Sequence, residues 1–118
     1  MILIPLNKDD KTISNKFRKA DRFVFLDSDS GIVVEDNHFK KEKSKEFFEY
    51  FKTLNVDKIF LKGLGLQTFD KLQKMGVEVY VINQDVDLYS HIDIAKCIRI
   101  TPQNANEFCT LGHKDKNV

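Results

Sequence analysis

The sequence predicts an α/β domain with a five-stranded mixed sheet, in the strand order 3-2-1-4-5, and helices on the faces of that sheet. Three observations lead to this fold class. Residues 58–82 have the pattern strand, glycine turn, helix and strand, which makes the two strands parallel neighbours joined by a right-handed crossover. Residues 1–6 and 23–26 are continuous apolar runs, as is typical of central strands buried on both faces. An Asx-rich turn at residues 27–31 leads into a third apolar run, which indicates a hairpin.

The strand–helix–strand unit is defined by its apolar spacing and by its glycines. Its helix and second strand are indicated by Leu66, Phe69, Leu72 and Met75 at helical spacing, followed by Val77, Val79 and Val81 at alternate positions. Gly76 stands where the C terminus of a helix favours a residue that tolerates a positive φ. Gly63-Leu64-Gly65 is expected to form the turn between the first strand and the helix.

The remaining elements follow from the same criteria. In chain order they are an edge strand at residues 32–34, a helix at 40–54, a short helix or irregular crossing at 85–94, a minor strand at 97–101 and a last helix at 102–111. Thr101 is the predicted N-cap of the last helix, and Gly112 is its predicted stop. The order β-β-β-α-β-α-β-α is the ribonuclease-H-like arrangement.

Length and composition describe one domain over residues 1–118. No apolar run approaches the ~20 residues that span a bilayer, and the short apolar N terminus lacks the basic leader of a signal peptide. We therefore expect a cytoplasmic protein. The net charge of +1 provides no global field for nucleic acid or a membrane, so neither is an expected partner. The two cysteines, Cys97 and Cys109, do not make a disulfide framework.

The fold class invites a nuclease, but the sequence lacks the carboxylates for one. Two-metal phosphoryl cleavage needs several carboxylates at strand ends, one of them normally on the first strand. That strand contains no acidic residue, and Asp27 and Asp29 lie in a hairpin turn, where turn formation is the simpler explanation. No Ser–His–Asp spacing, nucleophile elbow or paired-carboxylate pattern occurs either. We therefore expect a protein that is not an enzyme.

The glycine turn is the first candidate for an anion site. Gly63-Leu64-Gly65 lies between a strand and the start of a helix, where free backbone N–H groups and the helix dipole attract anions. It lacks the third glycine of the dinucleotide fingerprint, because Thr68 holds that place. A tight turn without a ligand is the alternative interpretation.

The second candidate is a basic cluster in the long loop after the first strand. Lys16, Phe17, Arg18 and Lys19 form its core, and Arg22 follows. Long loops in compact domains often carry function. This one adjoins the carboxyl end of the first strand, the region where open sheets bind ligands. A solvated surface loop is the alternative interpretation.

Cys109 and His113 are the candidate metal ligands. They are four residues apart, so they would share a face if the last helix continued through Gly112. Two soft ligands do not close a tetrahedral site, so a third would have to come from another histidine or from Cys97. Coincidental spacing is the alternative, since Gly112 is predicted to end the helix between them.

Three segments carry a resemblance to a known family. They are ISNKFRKADRFVFLD, VDKIFLKGLGLQTFDKLQKMGVEVYVI and TPQNANEFCTLGH. In order and spacing they resemble the dinitrogenase iron–molybdenum cofactor biosynthesis family, which includes the NifX- and NafY-like proteins and the cofactor-carrier domain of some NifB proteins. The resemblance covers most of the chain except residues 85–100, which look like an insertion. The glycine turn with the MGVEVYVI strand is the more specific half.

The resemblance implies a ribonuclease-H-like fold that binds an anionic iron–sulfur or iron–molybdenum–sulfur cluster. Proteins of this family pass the cluster between partners without chemistry on a substrate, so cluster-assembly or acceptor proteins are the implied partners. The expected cofactor-binding residues are Lys16, Phe17, Arg18, Gly63, Leu64 and Gly65, with Cys109 and His113 as metal ligands.

The chain departs from the family pattern in two places. Where the family often has His before Phe-Gly, this chain has Lys16-Phe17-Arg18, and its tail holds one histidine, His113, instead of a cluster. Soft Cys or His ligation is what an iron–sulfur cofactor needs, whereas lysine and arginine attract it electrostatically. The alternative function is a protein-interaction or regulatory module of the same fold that has lost cofactor binding.

Overall fold

A computed structural model describes residues 1–29 and 31–110. Its strands are β1 (Ile2–Leu6), β2 (Arg22–Asp27), β3 (Gly31–Asp36), β4 (Lys58–Leu61), β5 (Leu64–Gly65), β6 (Glu78–Val81), β7 (Ile98–Ile100) and β8 (Cys109–Thr110). Its helices are α1 (Ser44–Phe51), α2 (Leu66–Lys74) and α3 (Ala105–Phe108). Six strands form one sheet in the order β3-β2-β1-β4-β6-β7, and β5 pairs separately with β8. Within the described ranges, no helix is long and apolar enough to cross a membrane.

The strand–helix–strand unit has the predicted form. β4 and β6 are parallel neighbours, with Ile59 opposite Val79 and Phe60 opposite Tyr80. β1 lies parallel to β4 on its other side, and β2 and β3 continue the sheet as antiparallel neighbours. The predicted number of five strands is wrong, because β7 adds a sixth, antiparallel to β6. This strand is short, but it buries Ile100 in the core.

Among the described residues, the three α-helices pack on one face of the sheet, and the opposite face carries only a short 3-10 helix at Tyr89–His91. The helix-side core contains alternate strand residues such as Leu3 and Phe23 together with the buried side chains of the helices. The opposite face presents Ile4 and Val24. Residues 83–97 cover that second face. The covering side chains are Val86, Tyr89, Ile92 and Cys97.

The covering segment is an irregular crossing, one of the two predicted alternatives, with short 3-10 turns at Tyr89–His91 and Ile94–Lys96. It is tied to the loop after β1 by backbone hydrogen bonds. The Ile13 N–H donates to Asp87 O at 2.8 Å, and the Tyr89 N–H donates to Lys11 O at 3.0 Å. The crossing therefore helps to position the loop that contains the basic cluster.

α1 begins later than predicted. A helix was expected over residues 40–54, whereas α1 spans Ser44–Phe51 and continues as a 3-10 turn over Lys52–Leu54. The residues before it form turns, because the Phe39 N–H donates to Asn37 Oδ1 at 3.1 Å. Such a local side-chain bond offers the backbone an alternative to helix. The buried residues of α1 are Phe47, Phe48 and Phe51.

α2 ends as predicted, at a glycine with positive φ. Gly76 has φ of +79°. The Val77 N–H donates to Leu72 O at 3.0 Å, and the Gly76 N–H donates to Gln73 O at 3.0 Å. These two bonds form a Schellman motif, in which the left-handed glycine lets the last carbonyls of the helix find partners.

The last helix is shorter than predicted and has a different N-cap. α3 covers Ala105–Phe108 instead of residues 102–111, and its N-cap is Asn104, not Thr101. The Thr101 N–H donates to Asn104 Oδ1 at 2.8 Å, which holds the turn before the helix. The chain then becomes extended, because β8 pairs with β5. Gly112, the predicted stop, lies outside the described residues.

Candidate functional site

The candidate site is a cleft of about 300 Å³ between the loop after β1 and the glycine segment after β4. We call residues 16–19 the basic loop and residues 63–65 the glycine segment. The cleft is lined by Asn15, Lys16, Phe17, Arg18, Lys19, Gly63, Leu64, Gly65 and Thr68. The structure thus brings together all six residues that sequence reasoning assigns to cofactor binding. That they bind a cofactor stays a prediction.

Pro5 explains why the loop enters the sheet at this point. β1 and β4 pair at the start of β1, up to Leu3. Pro5 has no N–H to continue the ladder, and its carbonyl accepts instead from the Ser14 N–H at 2.9 Å. Leu6 forms an isolated bridge with Ile13. The chain just before the basic loop therefore replaces β4 as the neighbour of β1.

Phe17 anchors the basic loop in the helix-side core. Its side chain is 3% exposed. The ring lies edge-on to Phe47 at 5.4 Å and to Phe51 at 5.8 Å, and 6.1 Å from the ring of Phe23. Sequence reasoning assigns Phe17 to the cofactor, but the structure places its ring away from solvent. Its role is therefore to hold the two cations that flank it at the edge of the cleft.

Two buried polar side chains complete the anchoring. Asn37 Nδ2 donates to Arg18 O and to Ala20 O, each at 2.9 Å. Ser14 Oγ accepts from the Lys16 N–H at 3.0 Å. Sequence reasoning missed both residues. Ser14 belongs to the family-like segment but has no ionisable group, and Asn37 lies 19 positions from Arg18, so neither has a local chemical signature.

The basic loop presents three cations to the cleft. Lys16 and Lys19 are exposed, and Arg18 is half-buried. Arg18 Nη1 donates to the backbone carbonyl of Glu42 at 2.8 Å, which fixes the direction of the guanidinium. In the described part of the chain, none of the three forms an ion pair. Their positive charge is therefore available to a ligand.

The glycine segment is more than the predicted turn. Leu64 and Gly65 form β5 and pair in parallel with Cys109 and Thr110 of β8. Gly65 is also the N-cap of α2, with φ of −75° and ψ of 153°, and no described side chain caps this helix. The first turn of α2 contains no acidic residue. Its free N–H groups and the positive end of its dipole are therefore open to an anion.

Gly63 leaves room for a ligand beside the backbone. Its φ is not positive, and a Cβ built on it would meet nothing within 4 Å among the described residues. Neither the backbone conformation nor packing against the described residues therefore requires glycine at this position. A ligand that approaches the main chain closely would explain why position 63 is glycine.

The structure places the predicted metal ligand Cys109 inside the core, on a strand and not on a helix. Its side chain is 8% exposed and burial raises the pKa of its thiol, which favours the protonated form. A metal binds the thiolate, so this environment disfavours ligation. Cys97, a possible third ligand, packs against the opposite face of the sheet. His113 lies outside the described residues. Within those residues, no group of three His, Cys, Asp or Glu side chains could hold a metal ion.

Solved structures of other proteins share this fold. The chain resembles the crystal structure of PH0822, with a TM-score of 0.57 and 22% identity over 66% of this chain and 72% of that chain. It also resembles the NMR structure of a Thermotoga protein described as NifB-like and assigned to the DUF35 family. That likeness has a TM-score of 0.56 and 22% identity over 90% of this chain and 83% of that chain. No curated protein shows significant similarity to the chain.

A family model identifies the relationship. Residues 1–93 match the model described as dinitrogenase iron-molybdenum cofactor. The match spans most of the chain and includes both the basic loop and the glycine segment. It ends before β7, α3 and β8, and thus before Cys109. The chain belongs to the dinitrogenase iron–molybdenum cofactor family.

Proposed function

We propose that this protein is a non-catalytic carrier of an anionic iron–sulfur or iron–molybdenum–sulfur cluster, built on a ribonuclease-H-like scaffold. The observation that supports this most is one cleft that combines the basic loop with the uncapped N terminus of α2. Family membership supports the same class of cargo, because the family is named for the iron–molybdenum cofactor. Cluster-assembly and acceptor proteins would be its partners.

The cleft suits a cluster that is already assembled. Lys16, Arg18 and Lys19 supply positive charge, and the first-turn N–H groups of α2 can donate to sulfide or other anionic atoms. A bare iron–sulfur core needs thiolate or imidazole ligands, and the described residues that line the cleft include neither. A cluster that keeps its own ligands therefore fits better. Electrostatic binding of this kind is reversible, which suits transfer to an acceptor.

The same lining supports a carrier over a two-metal nuclease. Two-metal phosphoryl chemistry depends on several carboxylates that converge on the reacting atoms. The described lining of the cleft contains lysine, arginine, an amide, a hydroxyl and glycine backbone, but no carboxylate. Such groups attract and orient an anion.

Anaerobic loading tests the proposal. The chain is incubated with iron and sulfide or, in parallel, with tetrathiomolybdate as a preassembled anionic metal sulfide, and is then desalted for visible spectra and metal analysis. We expect retention of the preassembled anion. Lys16→Gln with Arg18→Gln removes two charge-assisted contacts worth about 1.5 kcal/mol each, so affinity should fall about 100-fold.

Two further variants control this experiment. Gly63→Val should block uptake, because its side chain would fill the space beside the backbone where a Cβ meets no described atom, and its circular dichroism spectrum should match that of wild type. Lys52→Gln with Lys74→Gln removes the same charge at exposed positions outside the cleft and should leave uptake unchanged. Wild-type uptake by both cleft variants would show that this cleft is not the site.

The alternative is a protein-interaction or regulatory module that has lost its cofactor. It is favoured by the position of Cys109 in the core and by Lys16, which stands where the family often has histidine. It predicts that the wild-type chain retains neither iron–sulfur nor tetrathiomolybdate. Unchanged uptake in Cys109→Ala and His113→Ala would remove these two residues as ligands without affecting the cleft proposal.

A further inference from the structure

A second groove lies on the other side of the basic loop. It has a volume of about 520 Å³. It is lined by Lys16, Arg18, Lys19, Lys40, Lys41, Glu42 and Lys43. We call this surface the lysine groove. Its lining carries six cations and one carboxylate, a net charge of +5, in a chain whose total is +1, so the other residues together carry −4. The positive charge of the molecule is therefore concentrated at this end.

The two walls of the lysine groove are held together by a buried residue. Asn37 donates to Arg18 O on one wall and accepts from the Phe39 N–H, which begins the other wall. Arg18 itself reaches across to the carbonyl of Glu42. Lys40 forms an ion pair with Asp21. The backbone of the groove is thus pre-organised, whereas its outer lysines are exposed.

The lysines at the rim are free to meet a partner. In the described part of the chain, Lys16, Lys19, Lys41 and Lys43 form no ion pair. Exposed ammonium groups spread along a groove can each pair with a carboxylate on a complementary protein surface. Their charge also attracts such a surface while the two proteins associate.

The described lining of the groove contains no aromatic ring on which the bases of a single-stranded nucleic acid could stack. Binding of single strands relies on exposed aromatic rings on which bases stack. Phe17 and Phe39 adjoin the lining residues in sequence, but Phe17 lies in the core and Phe39 stacks on Tyr50 at 4.4 Å between ring centroids.

We propose that the lysine groove docks an acidic surface of a partner protein. The basic loop lines both this groove and the cleft, so carboxylates of the partner and an anion in the cleft draw on the same three cations. Docking should therefore weaken cargo binding, and bound cargo should weaken docking. This coupling rests on the proposed carrier function, whereas docking itself does not.

Docking is tested on the full chain without any metal. The probe is a fluorescein-labelled peptide of 20 glutamates, and its anisotropy is followed at low ionic strength. Lys41→Gln with Lys43→Gln is expected to weaken binding about tenfold, since each exposed charge contributes a modest part. The matched pair Lys52→Gln with Lys74→Gln, exposed and outside the groove, should weaken it less than about twofold. Chain loaded with tetrathiomolybdate should bind the peptide more weakly than the empty chain.

Two results would overturn the docking proposal. One is an equal loss of peptide affinity in the two pairs of variants, which would mean that only net charge matters. The other is tighter binding of a 20-nucleotide thymidine strand than of the peptide, lost through the same Lys41 and Lys43 substitutions. Because Lys41 and Lys43 lie outside the cleft, their replacement should leave tetrathiomolybdate uptake intact. Peptide anisotropy therefore reports a failure of docking, and tetrathiomolybdate uptake independently reports a failure of cargo binding.

Discussion

Asn37 connects the basic loop to the turn before α1, and its replacement by alanine should destabilise the protein by about 2–4 kcal/mol. The side chain is 6% exposed. Asn37→Ala removes the donor to Arg18 O and Ala20 O and the acceptor for the Phe39 N–H. The bond to Ala20 is buried, whereas the other two are partly accessible to water. One buried group left unsatisfied costs about 1–3 kcal/mol, and the two others add a smaller loss.

Urea unfolding followed by far-UV circular dichroism measures this loss, because the chain has no tryptophan. Asn83→Ala, at an exposed position, is the matched control and should stay within about 0.5 kcal/mol of wild type. Asn37→Asp should also destabilise at neutral pH, since it turns a carboxylate toward two carbonyls, and should regain stability as the pH falls and protonation restores one donor. An Asn37→Ala variant as stable as the control would refute the bridging role.

Three further predictions concern the backbone, a thiol and an ion pair. Gly76→Ala should lower the free energy of unfolding by about 1–2 kcal/mol, because its φ of +79° is left-handed. Gly63→Ala, at an open position, should change it by less than about 0.5 kcal/mol, and equal effects would contradict the assigned backbone. In a Cys97→Ser background, Cys109 should react with a thiol reagent more slowly than free cysteine at neutral pH and normally in urea, since burial raises the pKa of its thiol. Rapid labelling of this folded variant would place the Cys109 thiol at the surface. The hydrogen bond from Lys40 holds the pKa of Asp21 below its ordinary 3.8. The contribution of this ion pair to the free energy of unfolding is therefore complete above the unfolded-state pKa of Asp21. It is lost as the pH falls through the lower folded-state pKa. Lys40→Met should flatten the dependence of unfolding free energy on pH below about pH 4, and an unchanged acid profile would contradict the pair.

The strand–helix–strand unit could be predicted because its signals are local. The apolar spacing of α2 and the glycine at its end act through residues within a few positions of one another. The last helix was not predictable in the same way. Residues 102–111 have helical spacing, but Cys109 leaves the helix to pair with Leu64. Strand pairing with a segment that is distant in sequence overrides a weak local propensity for helix.

The candidate site shows the same division. Its charged and glycine residues could be identified from their chemistry and from their places after β1 and β4. The anchoring role of Phe17, Ser14 and Asn37 could not be identified, because it depends on tertiary contacts that leave no pattern in the sequence. Asn15 and Thr68 also line the cleft, and their proximity to the predicted residues was the available signal for both.

The amino-acid sequence by itself was enough to predict the parallel pairing of β4 and β6 and the end of α2. It was also enough to identify the basic loop and the glycine segment, which line the cleft. Only the tertiary structure established that the described α-helices pack on one face, that β7 extends the sheet, and that Cys109 is enclosed in the core. The reason is physical. Periodicity and turn chemistry depend on neighbours along the chain. Burial, the addition of a strand to the sheet and the pKa of a thiol depend instead on contacts with residues that are distant in sequence and exclude water.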